Sequence, residues 1–356
     1  MGHLAPGFAV ATLLRRRGLV ATFATPGEPG EAAWFPDEES APQKAPAIRL
    51  PRRGHHLPPF ALRLGRAVFD AHALLRRLDP GIVVALGGWP CVPAALAARL
   101  ARTPLVLFAS DRSPGVAVRR LAPLASRIYV AAAEAQAAFS DPSRVVVTGP
   151  ILRRDAIEGV ADPERFGLEP GRRTLLVTGG SLGALALNRG VAEGLRDVLR
   201  ESPERAARIQ VLHSVGRSGE GVREAYAAAG IPHHVTPFLR RVGDAYALAD
   251  LVVARAGAMT CAELEATGTP AVLVPYPHHA DRQQYENARP LVERGGAHLL
   301  DEKDLDADAV RDVIVALLED DGRRHGMGRA MRAGRQDGAA QITDDLIRLI
   351  CRRPAR

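Results

Sequence analysis

The sequence predicts an α/β protein built from two doubly wound, Rossmann-like domains that face each other across a cleft. Short, nearly continuous apolar runs alternate with helical stretches, as expected for strands buried on both faces of a parallel sheet. This alternation occurs twice, in residues 1–150 and in residues 174–340. The polar stretch 151–173 between them is predicted to be the interdomain linker. With 356 residues, the chain has the length of two ordinary domains.

The first half begins with a predicted helix at 6–17, where a doubly wound domain would ordinarily begin with a strand. A strand at 18–25, a loop rich in proline and glutamate, and a short strand at 47–51 follow. The stretch 52–77 mixes apolar residues with arginines, which is typical either of a membrane-surface segment or of a core-facing helix with solvated arginines. Four further strands are predicted at 82–88, 104–110, 127–133 and 144–149.

The second half repeats the alternation of strands and helices. Its predicted strands begin near Thr174, Ile209, His233, Leu251 and Ala271. Right-handed crossovers are expected to connect the parallel strands. The C-terminal part from residue 306 is predicted to be helical, and the last helix, in 341–356, is predicted to pack back on the first domain.

Composition narrows the classes of partner. The net charge of +7 and the pI of about 9.9 favour anionic partners, such as nucleotides, anionic lipid or nucleic acid. Aromatic residues make up only 4% of the chain and are not interleaved with basic residues, which argues against nucleic acid. The cysteines, Cys91, Cys261 and Cys351, are too far apart for a CxxC pair, and no apolar run is long enough for a transmembrane helix.

A glycine-rich turn follows the predicted strand at Thr174. Its residues, Thr178-Gly179-Gly180-Ser181-Leu182-Gly183-Ala184, end a strand and open a helix. Glycines at such a turn let backbone N–H groups approach a phosphate, and the helix dipole favours the negative charge. The same residues could also form a tight strand-to-helix turn without a ligand.

A second turn of this kind lies at residues 255–263, after the strand at Leu251. Gly257 is predicted to permit the turn, Thr260 to lie in the first helical turn, and Glu263 to accept hydrogen bonds from ribose hydroxyls. The alternative is that Thr260 and Glu263 form a capping box at the helix start. Two such turns in one half favour a nucleotide-diphosphate site.

The stretch 275–287 is too polar to cross a core. Asp281 suits a helix N-cap, and the adjacent Gln283 and Gln284 place amides where they could bind sugar hydroxyls, although a solvated helix start would look similar. The neighbouring His278 and His279 lack a spaced third ligand, so a metal site is not predicted. The Asp-x-Asp spacing at 304–308 is better explained by helix capping than by metal binding.

Taken together, these segments resemble the MurG-type GlcNAc transferases of peptidoglycan synthesis, which have a GT-B fold. The matching segments are Gly2-His3 with Pro6, Gly87-Gly88-Trp89 with Pro93, 149–153, 179–188, 255–263 and 275–287, in order over nearly the whole chain. The resemblance implies a peripheral enzyme at the cytoplasmic face of the plasma membrane. The implied reaction is transfer of GlcNAc, with inversion, from UDP-GlcNAc to the C4 hydroxyl of undecaprenyl-diphosphate-linked N-acetylmuramyl-pentapeptide, which converts lipid I to lipid II without a cofactor or metal.

The resemblance also implies residue roles. Ser181 and Thr260 would hold the diphosphate, Glu263 the ribose, and Gln283 and Gln284 the GlcNAc hydroxyls. The UDP-GlcNAc residues implied in full are Arg153, Gly180, Ser181, Phe238, Leu239, Ala258, Met259, Thr260, Glu263, Gln283 and Gln284. Backbone groups near Phe238 and Leu239 would bind uracil. On the acceptor side the implied residues are Gly2, Gly87, Gly88 and Trp89, with His3 as candidate general base and Asp111 as a second candidate catalytic residue.

Four features depart from the family pattern. The family's first strand and the Gly-Gly-Thr before Gly-His are missing, which suggests an N-terminal truncation or a start codon assigned too late. Leu182 stands where the family commonly has Gln, Asp111 replaces an Asn, and the loop at 87–93 is poorer in glycine. Three alternatives therefore stay open: a GT-B enzyme with another acceptor, a UDP-GlcNAc epimerase, and a catalytically impaired UDP-sugar-binding protein.

Overall fold

The computed structural model describes residues 4–27, 42–46, 57–180, 184–278 and 282–351. The chain forms two compact units. Unit 1 consists of the chain up to Ile151 together with the residues from Asp337 onward, and unit 2 of Leu152–Gln336. In the described part of the chain, no helix is both long and apolar enough to cross a membrane.

Unit 1 is an α/β unit with a four-stranded parallel sheet. Its elements before Ile151 are α1 Leu4–Arg16, β1 Ala24–Thr25, β2 Gln43–Lys44, α2 Leu57–Leu78, β3 Val83–Ala85, α3 Val92–Leu100, β4 Leu105–Ala109, α4 Val116–Leu121, β5 Arg127–Val130 and β6 Val145–Val147. The strand order is β3-β4-β5-β6, and every neighbouring pair is parallel. Because β4 is buried along its whole length, it reads as a continuous apolar run in the sequence.

The start of unit 1 differs from the prediction. Of the predicted strand at 18–25, only Ala24 and Thr25 are in a strand, and they pair with Gln43–Lys44 inside the predicted loop. Val20 is 92% exposed, whereas Phe23 stacks on Phe8 of α1 with ring centroids 4.5 Å apart. The apolar residues of this run therefore do not share one buried strand face. The predicted strand at 47–51 lies outside the described residues.

Unit 2 holds a six-stranded parallel sheet. Its elements are α5 Arg154–Ile157, β7 Arg173–Thr178, α6 Leu185–Arg200, α7 Pro203–Ala206, β8 Ile209–Ser214, α8 Val222–Ala228, β9 His233–Thr236, α9 Val242–Leu248, β10 Leu251–Ala254, α10 Ala258–Thr267, β11 Ala271–Leu273, α11 Gln283–Glu293, β12 Ala297–Leu299, α12 Ala307–Ala309, α13 Ala316–Glu319 and α14 Asp321–Arg332. A π-helical turn, Val310–Val315, joins α12 to α13. The strand order is β12-β11-β10-β7-β8-β9.

The order of the second sheet creates a topological switch point. From β7 the chain adds β8 and β9 on one side, and it then crosses to add β10, β11 and β12 on the other. Side chains alternate between two cores, so that Leu175 and Val177 pack on one face and Leu176 on the other. In sheets of this type, ligands bind outside the carboxyl ends of the two strands at the switch point, here β7 and β10.

The segment predicted to be a linker is folded from Leu152 onward. It contains α5, and Leu152, Ala156 and Leu168 are buried in unit 2. The last helix, α15 Ala339–Cys351, belongs to unit 1.

Helix α15 is bound to unit 1 by apolar and polar contacts. Ile342 and Leu346 share a buried cluster with residues of α1 and of the sheet. The hydroxyl of Tyr129 in β5 donates to Asp345 Oδ2 at 2.8 Å, and Arg127 lies 3.3 Å from the same carboxylate. The C-terminal helix is therefore an integral part of unit 1.

Candidate active site

The two glycine turns of unit 2 lie at its switch point. Gly180 follows β7, and Gly257 follows β10. These strands are parallel neighbours, and Thr178 pairs with Ala254 at their carboxyl ends. Both turns are therefore at the position where a doubly wound sheet binds the diphosphate of a nucleotide. Ser181 lies outside the described residues.

The N-terminus of α10 is open to a ligand. Its N-cap is Gly257, and no side chain caps it. Ala258, Met259 and Thr260 are the first three helical residues, whose N–H groups have no intrahelical acceptor by position. The capping-box alternative for Thr260 and Glu263 is thus wrong, because Thr260 is inside the first turn and does not precede it.

Gly257 is not required by the backbone. Its φ of −66° suits any residue, so the prediction that a glycine permits this turn is wrong. A Cβ added there would meet only Thr260 Oγ1, at 3.8 Å, which is an ordinary contact. Gly180, in contrast, has a φ of +79°, which favours glycine.

Glu263 contacts a buried tyrosine. The Tyr246 hydroxyl donates a hydrogen bond of 3.0 Å to Glu263 Oε2. Burial raises the pKa of Glu263 to about 7, while the Tyr246 hydrogen bond and the charge of Arg153 lower it and Asp155 raises it. The Glu263 side chain is half-buried. This carboxylate can accept hydrogen bonds from vicinal hydroxyls when it is ionised.

A buried arginine anchors the loop after β11. Arg255 is 7% exposed and donates from Nη1 to the carbonyls of Val274 and Pro275, each at 3.1 Å. Its other terminal nitrogen binds Glu302. The guanidinium also lies 5.7 Å from the ring centroid of Tyr276. These contacts join the carboxyl ends of β10 and β11.

The two glutamines are at the start of α11. The backbone N–H of Tyr276 donates to Gln284 Oε1 at 2.8 Å, so the oxygen of this amide is engaged in anchoring the loop after β11. Gln283 is half-buried next to it. The residue at the N-cap is Arg282, with a φ of +49°, and not Asp281, which lies outside the described residues.

Phe238 and Leu239 line a pocket of 270 Å³ beyond the end of β9. Arg165, Phe166, His234, Thr236, Arg240, Arg241 and Asp244 complete its lining. The Phe166 and His234 rings meet edge to face, with centroids 5.7 Å apart. An aromatic wall of this kind suits a planar ring.

The acceptor-side residues of unit 1 follow two neighbouring strands. Gly87 and Gly88 follow β3 and have φ values of +98° and +77°, and Trp89 opens a 3-10 turn. Asp111 follows β4 and is half-buried. Since β3 and β4 are parallel neighbours, both loops are at one edge of the sheet. Gly2 and His3 lie outside the described residues.

The described residues contain no group of three or more His, Cys, Asp or Glu side chains placed to hold a metal ion. Asp306, one of the three spaced aspartates, caps α12 by accepting from the Ala309 N–H at 2.9 Å. This observation agrees with the capping interpretation of that segment.

No sequence pattern predicts a role for Tyr246. It lies in an alanine-rich helix 17 residues before Glu263, and nothing in its spacing links the two. Asn287 is a second such residue: it is buried, and its side-chain nitrogen donates to the Ala256 carbonyl at 3.2 Å, beside Gly257.

Two α/β domains with parallel sheets, the second with two glycine turns at its switch point, are typical of nucleotide-sugar enzymes of the GT-B type. Residues 1–130 match the glycosyltransferase family 28 N-terminal domain, and residues 174–342 match the glycosyltransferase family 28 C-terminal domain. The UDP-N-acetylglucosamine–N-acetylmuramyl-(pentapeptide) pyrophosphoryl-undecaprenol N-acetylglucosamine transferase of Acidovorax sp. is 37% identical over 358 residues, covering 100% of this chain and 85% of the relative. The chain belongs to this MurG-type family.

Solved structures agree with this assignment. MurG of Acinetobacter baumannii is 25% identical, with a TM-score of 0.71 over 98% of this chain and 96% of that one. A UDP-N-acetylglucosamine 2-epimerase, 15% identical with a TM-score of 0.66 over 99% of this chain and 94% of that one, shares the fold. The family resemblance and the GT-B fold class predicted from the sequence are confirmed.

Proposed function

We propose that this protein transfers GlcNAc from UDP-GlcNAc to the C4 hydroxyl of undecaprenyl-diphosphate-linked N-acetylmuramyl-pentapeptide, with inversion at the anomeric carbon. The observation that carries the proposal is the 37% identity to a transferase of this name over the whole chain. The two turns at the switch point of unit 2 support it, because they suit a nucleotide diphosphate.

On the donor side, the N–H groups at the start of α10 bind the diphosphate. Ala258, Met259 and Thr260 supply them, together with Gly180 and Ser181 after β7. As the bond to GlcNAc breaks, negative charge grows on the β-phosphate. Preorganised N–H groups at a helix N-terminus stabilise that charge without reorganising.

The rest of the donor is bound by side chains and by the pocket after β9. Glu263 accepts hydrogen bonds from the ribose hydroxyls, and Arg153 supplies a cation beside it. Gln283 and Gln284 bind the GlcNAc hydroxyls. Uracil binds at the backbone of Phe238 and Leu239, beside the aromatic wall of the 270 Å³ pocket that these two residues line.

On the acceptor side, Gly2, Gly87, Gly88 and Trp89 contact the lipid-linked substrate. His3 takes the proton of the attacking hydroxyl, since a neutral imidazole can accept a proton and pass it to solvent. Asp111 is a second candidate for this role. Replacing Asp111 with alanine should lower kcat and leave the affinity for UDP unchanged, because Asp111 belongs to unit 1.

The membrane partner is an anionic surface, bound by one face of α2. Leu62 and Phe69 are 79% and 72% exposed, and their spacing of seven residues puts them on the same helix face, with Arg66 between them. Apolar side chains among arginines suit insertion between anionic head groups, with about 1 kcal/mol from each cation near the surface. The protein would thus be peripheral, at the cytoplasmic face.

Vesicle cosedimentation tests the membrane proposal. Replacing Leu62 and Phe69 with serine should reduce binding to vesicles that contain phosphatidylglycerol. Replacing Val160, which is 55% exposed in unit 2, with serine is the matched control and should leave binding unchanged. Equal binding by the two variants would argue against α2 as the membrane surface.

An acceptor-dependence assay tests the transferase proposal. Purified protein is mixed with UDP-GlcNAc, with and without the lipid-linked muramyl-pentapeptide, and UDP release is measured. Release that requires the lipid supports transfer to this acceptor. UDP release without the lipid would indicate hydrolysis of the donor and contradict the proposal. Formation of UDP-N-acetylmannosamine without net UDP release would favour an epimerase, and UDP binding without any turnover would favour a nucleotide-sugar-binding protein.

A further inference from the structure

Tyr246 is buried, yet it contacts one of the few ionisable groups in the candidate donor site. Only 3% of the residue is exposed, and its ring packs in the apolar cluster beneath α10. Burial raises the pKa of its hydroxyl well above the usual value, and Glu263 raises it further. The hydroxyl therefore keeps its proton, and it donates to Glu263 Oε2 at 3.0 Å.

Two glycines hold the helix of Tyr246 close to α5. A Cβ on Gly159 would lie 1.9 Å from the Gly243 carbonyl oxygen, and a Cβ on Gly243 would lie 2.6 Å from the Asp155 oxygen. Such distances are possible only for glycine, so α9 and the segment after α5 meet backbone to backbone. This approach places Tyr246 and Arg153 around the same carboxylate.

The carboxylate of Glu263 is attached to α10 by a flexible side chain with three rotatable bonds. The charged and titratable groups that act on it are Tyr246 from α9, and Arg153 and Asp155 at the start of α5. Tyr246 acts on Glu263 through a side-chain hydrogen bond, whereas Arg153 and Asp155 shift its pKa through their charges. A hydrogen bond to one carboxylate oxygen restricts its rotation and leaves lone pairs on both oxygens for further donors.

We propose that Tyr246 is a positioning residue for donor recognition: its buried hydroxyl orients the Glu263 carboxylate so that the site distinguishes ribose from 2′-deoxyribose in the nucleotide. This inference rests on the proposed function, in which Glu263 binds the ribose. Tyr246 itself does not touch the nucleotide.

The variant Tyr246→Phe tests the inference, with UDP and 2′-deoxy-UDP as probes in calorimetric titrations. The affinity for UDP should fall about 3- to 10-fold, which is the range for one net hydrogen bond. The affinity for 2′-deoxy-UDP should change little, so the ratio of the two affinities should shrink. An unchanged ratio would overturn the inference.

Tyr226→Phe is the matched control. It removes another buried tyrosine hydroxyl of unit 2. The Tyr226 hydroxyl is hydrogen-bonded to His213 Nδ1 at 2.8 Å, whereas the hydroxyl bonded to Glu263 is that of Tyr246. It should leave the ratio of the two affinities at the wild-type value. A ratio that shrinks equally in both variants would mean that general loosening of unit 2 explains the effect, and would overturn the inference.

The pH dependence gives a readout that a purely structural role would not change. Since the Tyr246 hydrogen bond lowers the pKa of Glu263, its loss should move the midpoint of UDP affinity to higher pH. Should the phenylalanine variant fail to fold, 3-fluorotyrosine at position 246 keeps the ring and makes the hydroxyl a stronger donor. The midpoint should then move to lower pH, and an unchanged midpoint would overturn the inference.

The variant Glu263→Gln separates the inference from the proposed function. Loss of the ribose preference in Glu263→Gln, together with an intact preference in Tyr246→Phe, would overturn only the role of Tyr246. An intact preference in Glu263→Gln, or no binding of UDP by the wild-type protein, would overturn the proposed ribose contact itself.

Discussion

The loops at the carboxyl ends of the strands differ between the two units in what stabilises them. In unit 2, polar side chains with buried partners follow β10 and β11: Arg255 binds two carbonyls and Glu302, and Glu263 binds Tyr246. In unit 1, the loop after β3 depends on Gly87 and Gly88, both with positive φ. The proposed donor side thus combines buried side-chain contacts with one glycine of positive φ, Gly180, whereas the loop after β3 on the proposed acceptor side has two such glycines in succession. Substitutions should affect the two sides through different quantities.

The largest expected effect comes from breaking the anchor of the donor loop. Arg255→Leu leaves the Glu302 carboxylate and the carbonyls of Val274 and Pro275 without their donor. We expect the free energy of unfolding to fall by about 3 kcal/mol, the cost of breaking a largely buried ion pair. Denaturant titration measures this change. The affinity for UDP-GlcNAc should fall as well, because the same loop holds Gln284, which is proposed to bind the GlcNAc hydroxyls.

Arg173→Leu is the matched control for this prediction. The side chain of Arg173 is 42% exposed and forms ion pairs with Asp321, at the surface, and with Asp250, whose side chain is 28% exposed. Surface pairs contribute less than about 1 kcal/mol. Similar losses of stability in the two variants would contradict the view that Arg255 anchors the site.

Gly257→Ala sharpens the comparison, because the donor-side glycine carries no backbone strain. With φ at −66° and open space around an added Cβ, the free energy of unfolding should stay within about 0.5 kcal/mol of wild type. The affinity for UDP should fall about tenfold or more, since the methyl group would occupy the space of the diphosphate. Calorimetry and denaturant titration together test this, and an unaltered UDP affinity would remove Gly257 from the proposed contact.

Gly88→Ala should show the opposite pattern. The φ of +77° and ψ of +165° at this position are almost exclusive to glycine, so alanine should cost about 1 to 3 kcal/mol of stability. UDP affinity should be unchanged.

Gly65→Ala is the control within unit 1. Gly65 is in the middle of α2 with open space where a Cβ would be, and alanine there should raise the free energy of unfolding by about 0.5–1 kcal/mol.

The smallest expected effects concern pH. UDP affinity should fall as the pH is lowered, whereas the contribution of Glu263 to the free energy of unfolding should fall as the pH is raised. Ribose hydroxyls donate to the ionised Glu263, so UDP affinity should weaken as the pH falls below about 7. Without nucleotide, the raised pKa means that Glu263 contributes stability below its ordinary pKa, near pH 4, and that this contribution is lost as the pH rises through about 7. Glu263→Gln should remove both dependences, and unchanged pH profiles in that variant would assign them to another group.

The buried strands, the glycine turns and the glutamine pair can be predicted from the sequence because each depends on a local pattern. The apolar runs at 104–110 and 251–257 contain β4 and β10, since a strand buried on both faces needs apolar residues at every position. The glycine turns and the Gln283-Gln284 pair are also local. Their meeting at the switch point then follows from the strand order alone.

Other parts depend on contacts between distant residues. Thr260 and Glu263 have the spacing of a capping box, but the helix begins two residues before Thr260, at Ala258. Glu263 accepts a hydrogen bond from Tyr246 of another helix. β12 has only three residues, too few for a recognisable apolar pattern. Its strand conformation depends on its pairing with β11. The pair Gly159 and Gly243 is 84 residues apart in sequence and is recognisable only in three dimensions.

Product analysis tests the central claim most directly. The protein is incubated with UDP-GlcNAc labelled in the sugar and with the lipid-linked muramyl-pentapeptide, and the lipid fraction is examined by mass spectrometry and NMR. We predict one GlcNAc per acceptor, attached to the C4 hydroxyl with β configuration, in amounts equal to the UDP released and strongly reduced in Glu263→Ala. Label that stays in the nucleotide fraction, as UDP-GlcNAc or its 2-epimer, while the acceptor is unchanged, would contradict the account.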